Sequence, residues 1–318
     1  MIPGIYQLSK VNLKTGIEKS LLKNSRLLAI SGRFAFCESS QLLETPKLLV
    51  FDLITRAELI IYSLEDEKIS EIFLKISIEI LEIEGGEGFF LKPENSDTLV
   101  CRIHGGPHSV CLNTYSLETT LYLLLGHSVL LPNYRGSLSY PNLESLLGNA
   151  GIKDLHDCFE LIEKTELQKV ALYGGSYGGY LVARMTTERK FAAAALWNPV
   201  TNLIASFASS DIPEWTLAEF SENHELRILT KEDLIKLHEV SPISKVSEID
   251  SPCLLVLGEK DLRVPPNCNG IEFARGLKRF SKSPDVRVYT YDDEGHALDK
   301  EAFPHAITRI AEFLDNYL

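Results

Sequence analysis

The chain contains 318 residues, of which 45% are hydrophobic and 24% are charged, and its formal net charge is -12. A chain of this length can bury one large core and a smaller second unit. The acidic balance argues against nucleic acid and anionic membrane surfaces as partners, and no apolar run reaches the length of a membrane span. We therefore expect a globular protein with neither kind of partner.

The six cysteines are scattered along the chain and form no C-x-x-C pair. Cys101 and Cys253 lie in apolar, strand-like runs, which is typical of buried free thiols. The first residues do not resemble a secretory leader, and disulfides persist mainly in oxidising compartments. The pattern favours free cysteines and a cytoplasmic location.

The first 60 residues predict short antiparallel strands separated by turns. Residues 5–11 and 17–22 flank Lys14-Thr15-Gly16, which we interpret as a hairpin turn. Three further β-prone runs cover residues 27–30, 33–37 and 48–53. Together these runs predict about one antiparallel four-stranded unit.

Residues 76–91 predict a β-hairpin around Gly85-Gly86, because apolar and polar residues alternate before it. From about residue 98 the pattern changes to alternating strands and helices. An amphipathic helix is predicted over 154–165, and a terminal helix has Pro304 in its first turn and an inward stripe of Ile307, Ile310, Ala311, Leu314 and Leu318. Predicted buried strands cover 99–103, 128–131, 170–173, 191–196, 253–257 and 286–291. This alternation indicates an α/β fold, a mostly parallel sheet with helices on both faces.

A candidate nucleophile follows the predicted strand 170–173. Gly174-Gly175-Ser176-Tyr177-Gly178 matches the G-x-S-x-G elbow, in which a sharp turn between a strand and a helix exposes the serine. The serine takes a strained backbone conformation there, so its neighbours must lack side chains, and Gly174, Gly178 and Gly179 meet that need. We interpret Ser176 as a nucleophile; a glycine-rich turn of an α/β sheet is the alternative.

A serine nucleophile needs a general base and a carboxylate that orients the base. In an α/β-hydrolase these follow the serine in the order acid and histidine, each on a loop after a strand. Asp261 follows the strand 253–257, and His296 follows the strand 286–291. The order predicts a Ser176-Asp261-His296 triad, with a solvated loop carboxylate and a surface histidine as the alternative interpretations.

Other acids and histidines fit this order less well. Asp292 and Asp293 share the loop of His296, and Asp211 precedes the strand that should carry the acid. His104 and His108 precede the serine, while His305 lies at the start of the terminal helix.

Two backbone amides are candidates for the oxyanion hole, which stabilises the negative charge of a tetrahedral intermediate. One is the N–H of Tyr177, directly after the nucleophile. The other is that of Gly106 in His104-Gly-Gly-Pro-His108, for which a simple chain-redirecting turn is the alternative. The same glycines and proline forbid a helix that could bring His104 and His108 to one metal ion, so no metal site is predicted. No phosphate-binding glycine loop is present either.

Several motifs together resemble the catalytic domain of the prolyl oligopeptidase family: His104-Gly-Gly-Pro-His-Ser109, Asn133-Tyr-Arg-Gly-Ser137, Gly174-Gly-Ser-Tyr-Gly-Gly179 and Gly258-Glu-Lys-Asp-Leu-Arg-Val-Pro265. Asn198-Pro-Val-Thr-Asn202 and Ser210-Asp-Ile-Pro-Glu-Trp215 are similar to the acylaminoacyl-peptidase branch of that family. The resemblance implies an α/β-hydrolase fold over residues 71–318, preceded over residues 1–70 by an antiparallel segment that resembles the end of a β-propeller.

The resemblance also implies an activity. It implies a serine exopeptidase that releases an N-acylated, usually N-acetylated, amino acid from a short blocked peptide, without a cofactor. Ser176, Asp261 and His296 match the family triad, and Gly106 and Tyr177 match its oxyanion donors. Arg263 matches an arginine that helps to bind substrate; an ion pair with Glu259 or Asp261 is the alternative reading.

One departure from the family leaves other functions open. Family members carry a large β-propeller that restricts access to short peptides, whereas only about one blade precedes the hydrolase segment here. A general carboxylesterase or thioesterase with the same triad is therefore an alternative. A truncated, non-catalytic product that associates with full-length subunits is another, and a homo-oligomer is compatible with either reading.

Overall fold

The computed structural model describes residues 7–11, 18–138, 152–221, 225–299 and 301–318. Two antiparallel sheets lie at its N-terminal end. Strands β1 (Gln7–Val11) and β2 (Glu18–Lys23) pair with each other, and β3 (Ser25–Ser31), β4 (Phe34–Gln41), β5 (Glu44–Asp52) and β6 (Glu58–Ser63) form a four-stranded sheet in chain order.

The predicted antiparallel character of this segment is confirmed and a four-stranded unit is present, but the strands that compose it differ from those predicted. The first two strands form a sheet of their own, and the fourth strand of the larger sheet is β6, which the sequence analysis did not include. The side chains of β6 are mostly exposed, so the strand lacks the alternation of buried and exposed residues that marks a half-buried strand. The turn at Lys14-Thr15-Gly16 lies outside the described residues.

The main sheet has eight strands in the spatial order β14-β13-β12-β11-β9-β10-β8-β7. The six strands β9 to β14 are mutually parallel, and β7 and β8 form the predicted antiparallel hairpin at one edge. The mostly parallel sheet is therefore confirmed. The strands are β7 (Ile76–Ile83), β8 (Gly86–Pro93), β9 (Thr98–Ile103), β10 (Ser128–Asn133), β11 (Lys169–Gly175), β12 (Ala193–Trp197), β13 (Cys253–Gly258) and β14 (Val286–Tyr291).

Helices cover both faces of this sheet, as predicted, because successive strand residues point to opposite sides. Leu99 and Cys101 pack in one core and Val100 in the other. One face carries α1 (Glu67–Phe73), α2 (Leu117–Leu124) and α9 (Ala302–Asp315); the other carries α3 (Lys153–Lys164), α4 (Tyr177–Glu188) and α8 (Glu272–Phe280). Between β12 and β13 lie α5 (Leu203–Ser209), α6 (Pro213–Phe220), α7 (Lys231–Val240) and a 3-10 helix, Pro242–Glu248.

The terminal helix buries Ile307, Ile310, Ala311 and Leu314 of its predicted stripe. Leu318 is an exception: it lies beyond the end of the helix and is half-buried. Five of the six free cysteines are buried, as expected, and Cys268 is half-buried. In the described part of the chain, no helix combines the length and hydrophobicity that crossing a membrane requires.

The four-stranded sheet has a small core of its own, formed by Ala35, Cys37, Leu49 and Phe51. Its β4–β5 turn contacts the main domain, since the Leu42 N–H donates to Asn113 Oδ1 at 3.2 Å and Leu42 packs in the core of the main sheet. Helix α1 runs across the predicted boundary at residue 70, and the division into 1–70 and 71–318 stays a prediction.

Candidate active site

Ser176 lies on a sharp turn between β11 and α4. Its backbone angles are φ 57° and ψ -121°, a region that non-glycine residues seldom occupy. Such strain persists only where surrounding structure fixes it. Here the Ser176 N–H donates to the Trp197 carbonyl at 2.9 Å, and the Ser176 carbonyl accepts from the Tyr180 N–H at 3.0 Å. The strand-turn-helix geometry predicted for the elbow is therefore present.

The glycines around Ser176 allow helix α4 to approach the sheet. A Cβ on Gly174 would lie 2.5 Å from the backbone of Gly178, and one on Gly178 would lie 2.3 Å from the Ile103 carbonyl oxygen. A Cβ on Gly179 would lie 2.8 Å from Pro199 Cβ. All three positions are too close-packed for a side chain, in agreement with the sequence argument.

Asp261 and His296 lie on the loops after β13 and β14 and are joined by a hydrogen bond. His296 Nδ1 lies 2.7 Å from Asp261 Oδ2, and the Asp261 side chain is fully buried. The other carboxylate oxygen, Oδ1, accepts from the N–H groups of Arg263 and Val264 at 2.8 and 2.9 Å. A carboxylate held in this way fixes the imidazole tautomer with the proton on Nδ1, which leaves Nε2 free to accept a proton.

A buried asparagine connects the acid loop to the histidine loop. Asn198 directly follows β12 and has a positive φ of 39°. Its side-chain oxygen accepts from the Gly258 N–H at 2.8 Å, and its amide nitrogen lies 3.0 Å from the His296 carbonyl and 3.3 Å from that of Gly295. Asn198 was predicted only as part of a family motif, and its supporting role was not predicted because its partners lie 60 to 98 residues away.

Ser176 and His296 line one cavity of about 550 Å³. Gly105 and Gly106 line it as well, and a Cβ on Gly105 would lie 3.3 Å from Ser176 Cβ. Within the described ranges no hydrogen bond joins the Ser176 hydroxyl to His296; such bonds are often long in enzymes without substrate. The three predicted triad members thus lie at the same edge of the sheet as the loop that contains Gly105 and Gly106, which we call the glycine loop.

The side chain of Tyr177 is fixed by a second buried carboxyl. The Tyr177 hydroxyl donates to Asp154 Oδ2 at 2.6 Å, and both residues are buried. Burial raises the pKa of Asp154 to about 6 and raises the pKa of Tyr177 well above its ordinary value. Since Tyr177 is the first residue of α4, its backbone N–H has no partner within the helix. The sequence predicts Asp154 only as a residue of a helix, and this contact was not predicted.

Arg263 lines the cavity but does not pair as the alternative reading expected. Its guanidinium forms an ion pair with Asp211, with Nε 2.6 Å from Oδ1, so the expectation of a pair with Glu259 or Asp261 is wrong. The hydrogen bond to Asp211 raises the pKa of Arg263 and lowers that of Asp211. Asp211 reaches this position because α5 and the start of α6 fold over the acid loop, where the Asp211 N–H donates to the Leu262 carbonyl.

The histidines that the sequence argument set aside have other partners. His104 stacks on Tyr134 with ring centroids 4.3 Å apart, its Nε2 lies 2.8 Å from Ser137 Oγ, and burial lowers the pKa of His104 to about 4. His305 Nδ1 lies 2.8 Å from the Tyr291 hydroxyl. His108 lines the cavity, where its Nε2 lies 3.1 Å from Glu219 Oε1. Of the alternative acids on the histidine loop, Asp293 forms an exposed ion pair with Lys260 and Asp292 is exposed.

The remaining cavity wall comes from α6 and the residues around it. Val200, Ile212, Trp215 and Val264 supply apolar surface. The Trp215 Nε1–H donates to the Gly106 carbonyl at 3.1 Å, which ties α6 to the glycine loop. This arrangement can place a substrate carbonyl between a serine nucleophile, a carboxylate-oriented imidazole and backbone donors, which is the requirement for acyl transfer.

Comparisons with known proteins agree with this chemistry. The sequence model of the Prolyl oligopeptidase family matches residues 113–318. The Arabidopsis thaliana acylamino-acid-releasing enzyme is 37% identical over 216 residues, which are 64% of this chain and 28% of that enzyme. The chain thus spans about a quarter to a third of the length of the curated relatives that it matches.

Solved structures share the fold across nearly the whole chain. The acylaminoacyl peptidase of Pyrococcus horikoshii superposes with a TM-score of 0.78 at 20% identity, covering 96% of this chain and 51% of that one. A puromycin-hydrolyzing peptidase of Mycobacterium tuberculosis superposes with a TM-score of 0.82 at 19% identity, covering 98% and 50%. At these identities the likeness shows the fold, and it supports the predicted α/β-hydrolase architecture.

Proposed function

The chain belongs to the prolyl oligopeptidase family of serine peptidases, and from this premise we propose that it is a serine exopeptidase that releases N-acylated amino acids from short blocked peptides. The observation that supports this most directly is the 2.7 Å bond between His296 and the buried Asp261, with His296 and the strained Ser176 both lining one cavity. The name shared by the curated relatives, acylamino-acid-releasing enzyme, supports the substrate class.

In the proposed reaction the Ser176 hydroxyl attacks the carbonyl carbon of the acylated first residue. His296 Nε2 takes the serine proton, and Asp261 stabilises the imidazolium that forms. The backbone N–H groups of Gly106 and Tyr177 donate to the oxyanion of the tetrahedral intermediate. The imidazolium then gives its proton to the leaving amine, so that the C–N bond breaks and an acyl-enzyme remains on Ser176.

Hydrolysis of the acyl-enzyme repeats these steps with water as the nucleophile. His296 removes a proton from water, the hydroxide adds to the ester carbon, and the Ser176 oxygen leaves with the proton that the imidazole returns. The products are an N-acyl amino acid and a peptide shortened by one residue. Apart from the water molecule, every group that acts on the substrate in these two steps belongs to this chain.

The cavity can hold a neutral blocked residue. Its apolar wall, formed by Val200, Ile212 and Trp215, suits a chain terminus that has lost its ammonium charge through acylation. Arg263 is at the rim, where its ion pair with Asp211 leaves the guanidinium partly exposed. We assign it a substrate-binding role toward a carbonyl or carboxylate of the peptide.

The proposal is tested by comparing three substrates under the same conditions. N-acetylalanyl p-nitroanilide should be cleaved with a kcat/KM at least tenfold above that of unacylated alanyl p-nitroanilide, and Ser176→Ala should abolish both reactions. The third substrate, p-nitrophenyl butyrate, measures general esterase activity. Turnover of the butyrate ester alone would contradict the exopeptidase proposal and favour a carboxylesterase.

A further inference from the structure

One face of the segment that begins α6 forms a wall of the cavity. Ile212, Trp215, Thr216 and Glu219 occupy positions i, i+3, i+4 and i+7, which lie on one face of a helix, and all four line the cavity. Ile212 and Trp215 are half-buried, whereas Thr216 and Glu219 are almost completely buried. The wall is therefore apolar near its opening and polar at its buried end. We call His108, Thr216 and Glu219 the polar end of the cavity.

The His108–Glu219 contact can hold one shared proton. His108 Nδ1 lies 2.9 Å from the Gly136 carbonyl oxygen, which can only accept, so Nδ1 carries a hydrogen. Nε2 lies 3.1 Å from Glu219 Oε1, and a hydrogen bond there needs a proton on one of the two atoms. The pair is then either imidazolium with carboxylate or imidazole with carboxylic acid. Both forms have no net charge.

Burial stabilises the neutral form of the carboxyl. It raises the pKa of Glu219, while the proximity of His108 acts in the opposite direction. A carboxyl group can take part in several hydrogen bonds, and the contact with His108 uses one of them. Glu219 therefore keeps capacity for a further partner.

Thr216 adds an unused hydroxyl at the same place. Its Oγ1 is buried and has no hydrogen-bond partner, although buried polar atoms in folded proteins normally have one. Thr216 and Glu219 are three residues apart on α6 and so are neighbours on the helix surface. Two independent groups at the polar end thus have unused hydrogen-bonding capacity.

We propose that the polar end of the cavity binds the side chain of the substrate's first residue and selects a hydroxyl-bearing residue, serine or threonine, over an apolar residue of the same shape. This inference rests on the proposed function, because it places an N-acylated amino acid in the cavity. A substrate hydroxyl can donate to Glu219, and it can accept from the Thr216 hydroxyl when that buried side chain rotates toward the cavity. With one proton shared, the His108–Glu219 pair has no net charge, so a charged first residue would lose its hydration there without gaining a counter-charge.

The test compares N-acetylseryl p-nitroanilide with N-acetyl-2-aminobutyryl p-nitroanilide, in which a methyl group replaces the hydroxyl. The wild type should favour the seryl substrate in kcat/KM by about tenfold or more, because a site built to bond a hydroxyl discriminates against an isostere that lacks it. The double variant Glu219→Leu/His108→Phe removes both partners, so neither is left buried and unpaired. Its selectivity should fall at least threefold below the wild-type ratio, because Thr216 alone remains to bond the hydroxyl.

Two further variants make the result specific. Glu219→Gln keeps a hydrogen-bonding group toward His108 and should give an intermediate ratio, so it tests the inference even if the double variant folds poorly. Glu214→Leu makes the same change at an exposed position of α6 outside the cavity lining and should keep the wild-type ratio.

The matching p-nitrophenyl esters of the two acetylated residues complete the design. A wild-type ratio below about two, or a ratio that the double variant and Glu219→Gln leave unchanged, would overturn the inference. If the esters are cleaved and the anilides are not, the exopeptidase proposal fails, while the ester ratio still decides whether the polar end selects the hydroxyl.

Discussion

Replacing Asn198 should separate the positioning of the catalytic loops from their chemistry. Asn198 is 1% exposed, and its side chain bonds the Gly258 N–H and the carbonyls of Gly295 and His296. Asn198→Ala leaves a buried donor unsatisfied, at about 1–3 kcal/mol, and removes two further contacts worth about 0.5–1.5 kcal/mol each. We expect the free energy of unfolding to fall by about 2–6 kcal/mol.

The activity should fall by more than this loss of stability explains. A displacement of about 1 Å in a catalytic group can cost on the order of 100-fold in rate. We therefore expect kcat for N-acetylalanyl p-nitroanilide to fall by about 100-fold in Asn198→Ala, with KM changed by less than about threefold. Asn198→Asp keeps the acceptor for Gly258 and replaces the amide donor with an oxygen that repels the two carbonyls, so its kcat should fall as well.

A matched control has a similar stability loss at a distant site. Leu123 is a buried residue of α2, a helix that contacts β8, β10 and α9, and Leu123→Ala should destabilise the fold by about 2–5 kcal/mol. Thermal melts of each variant first establish that it is folded at 25 °C, the temperature of the assays. If Asn198→Ala retains kcat within twofold of wild type, as Leu123→Ala should, the positioning role is refuted and Asn198 serves only stability.

The remaining predictions concern the elbow, its support and the cavity rim. Gly178→Ala would place a Cβ 2.3 Å from the Ile103 carbonyl oxygen, so kcat should fall by more than about 100-fold; a folded variant with wild-type kcat would contradict the close-packing argument. Burial raises the pKa of Asp154 from 3.8 to about 6, so the native state binds more protons than the unfolded state between about pH 4 and 6, and stability falls as pH rises through that window. Relative to Asp154→Asn, the wild type should lose about 2 kcal/mol between pH 4 and 7 in urea melts, and a difference that is independent of pH would contradict this. Arg263→Ala should raise KM about tenfold with little change in kcat. Asp211→Asn frees the guanidinium of Arg263 and should leave KM unchanged or lower it. Equal increases of KM in the two variants would indicate that the ion pair supports only the structure.

The triad could be predicted from the sequence because each member follows a parallel strand. The carboxyl ends of β11, β13 and β14 lie at one edge of the sheet. Local sequence signals were therefore enough to predict that Ser176, Asp261 and His296 lie close together. The sheet itself could be predicted for the same reason, since buried parallel strands are continuous apolar runs.

The supporting contacts could not be predicted, because they depend on partners distant in the chain. The side chain of Asn198 bonds groups 60 to 98 residues later, and Tyr177 bonds Asp154 23 residues earlier. His108 lies on the glycine loop and Glu219 on α6, so the two meet only when α6 folds over that loop. Spacing along the sequence carries no signal for such pairs.

Three omitted helices did carry local signals. Asp66 caps α1 through its side chain, Pro213 occupies the first turn of α6, and Thr230 and Asp233 form a capping box at α7. Capping residues would therefore have located these helices. Strand β6 differs, because its mostly exposed residues give no alternation to detect.

Covalent labelling of Ser176 tests the central claim most directly. The wild-type protein, shown to be folded by a cooperative thermal melt, is treated with a fluorophosphonate, and the modified residue is located by peptide mass spectrometry. We predict one adduct per chain on Ser176, none on Ser176→Ala, and much slower labelling of His296→Ala, which lacks the general base. A folded wild-type protein that stays unlabelled, or that is labelled equally fast without His296, would contradict the proposed triad.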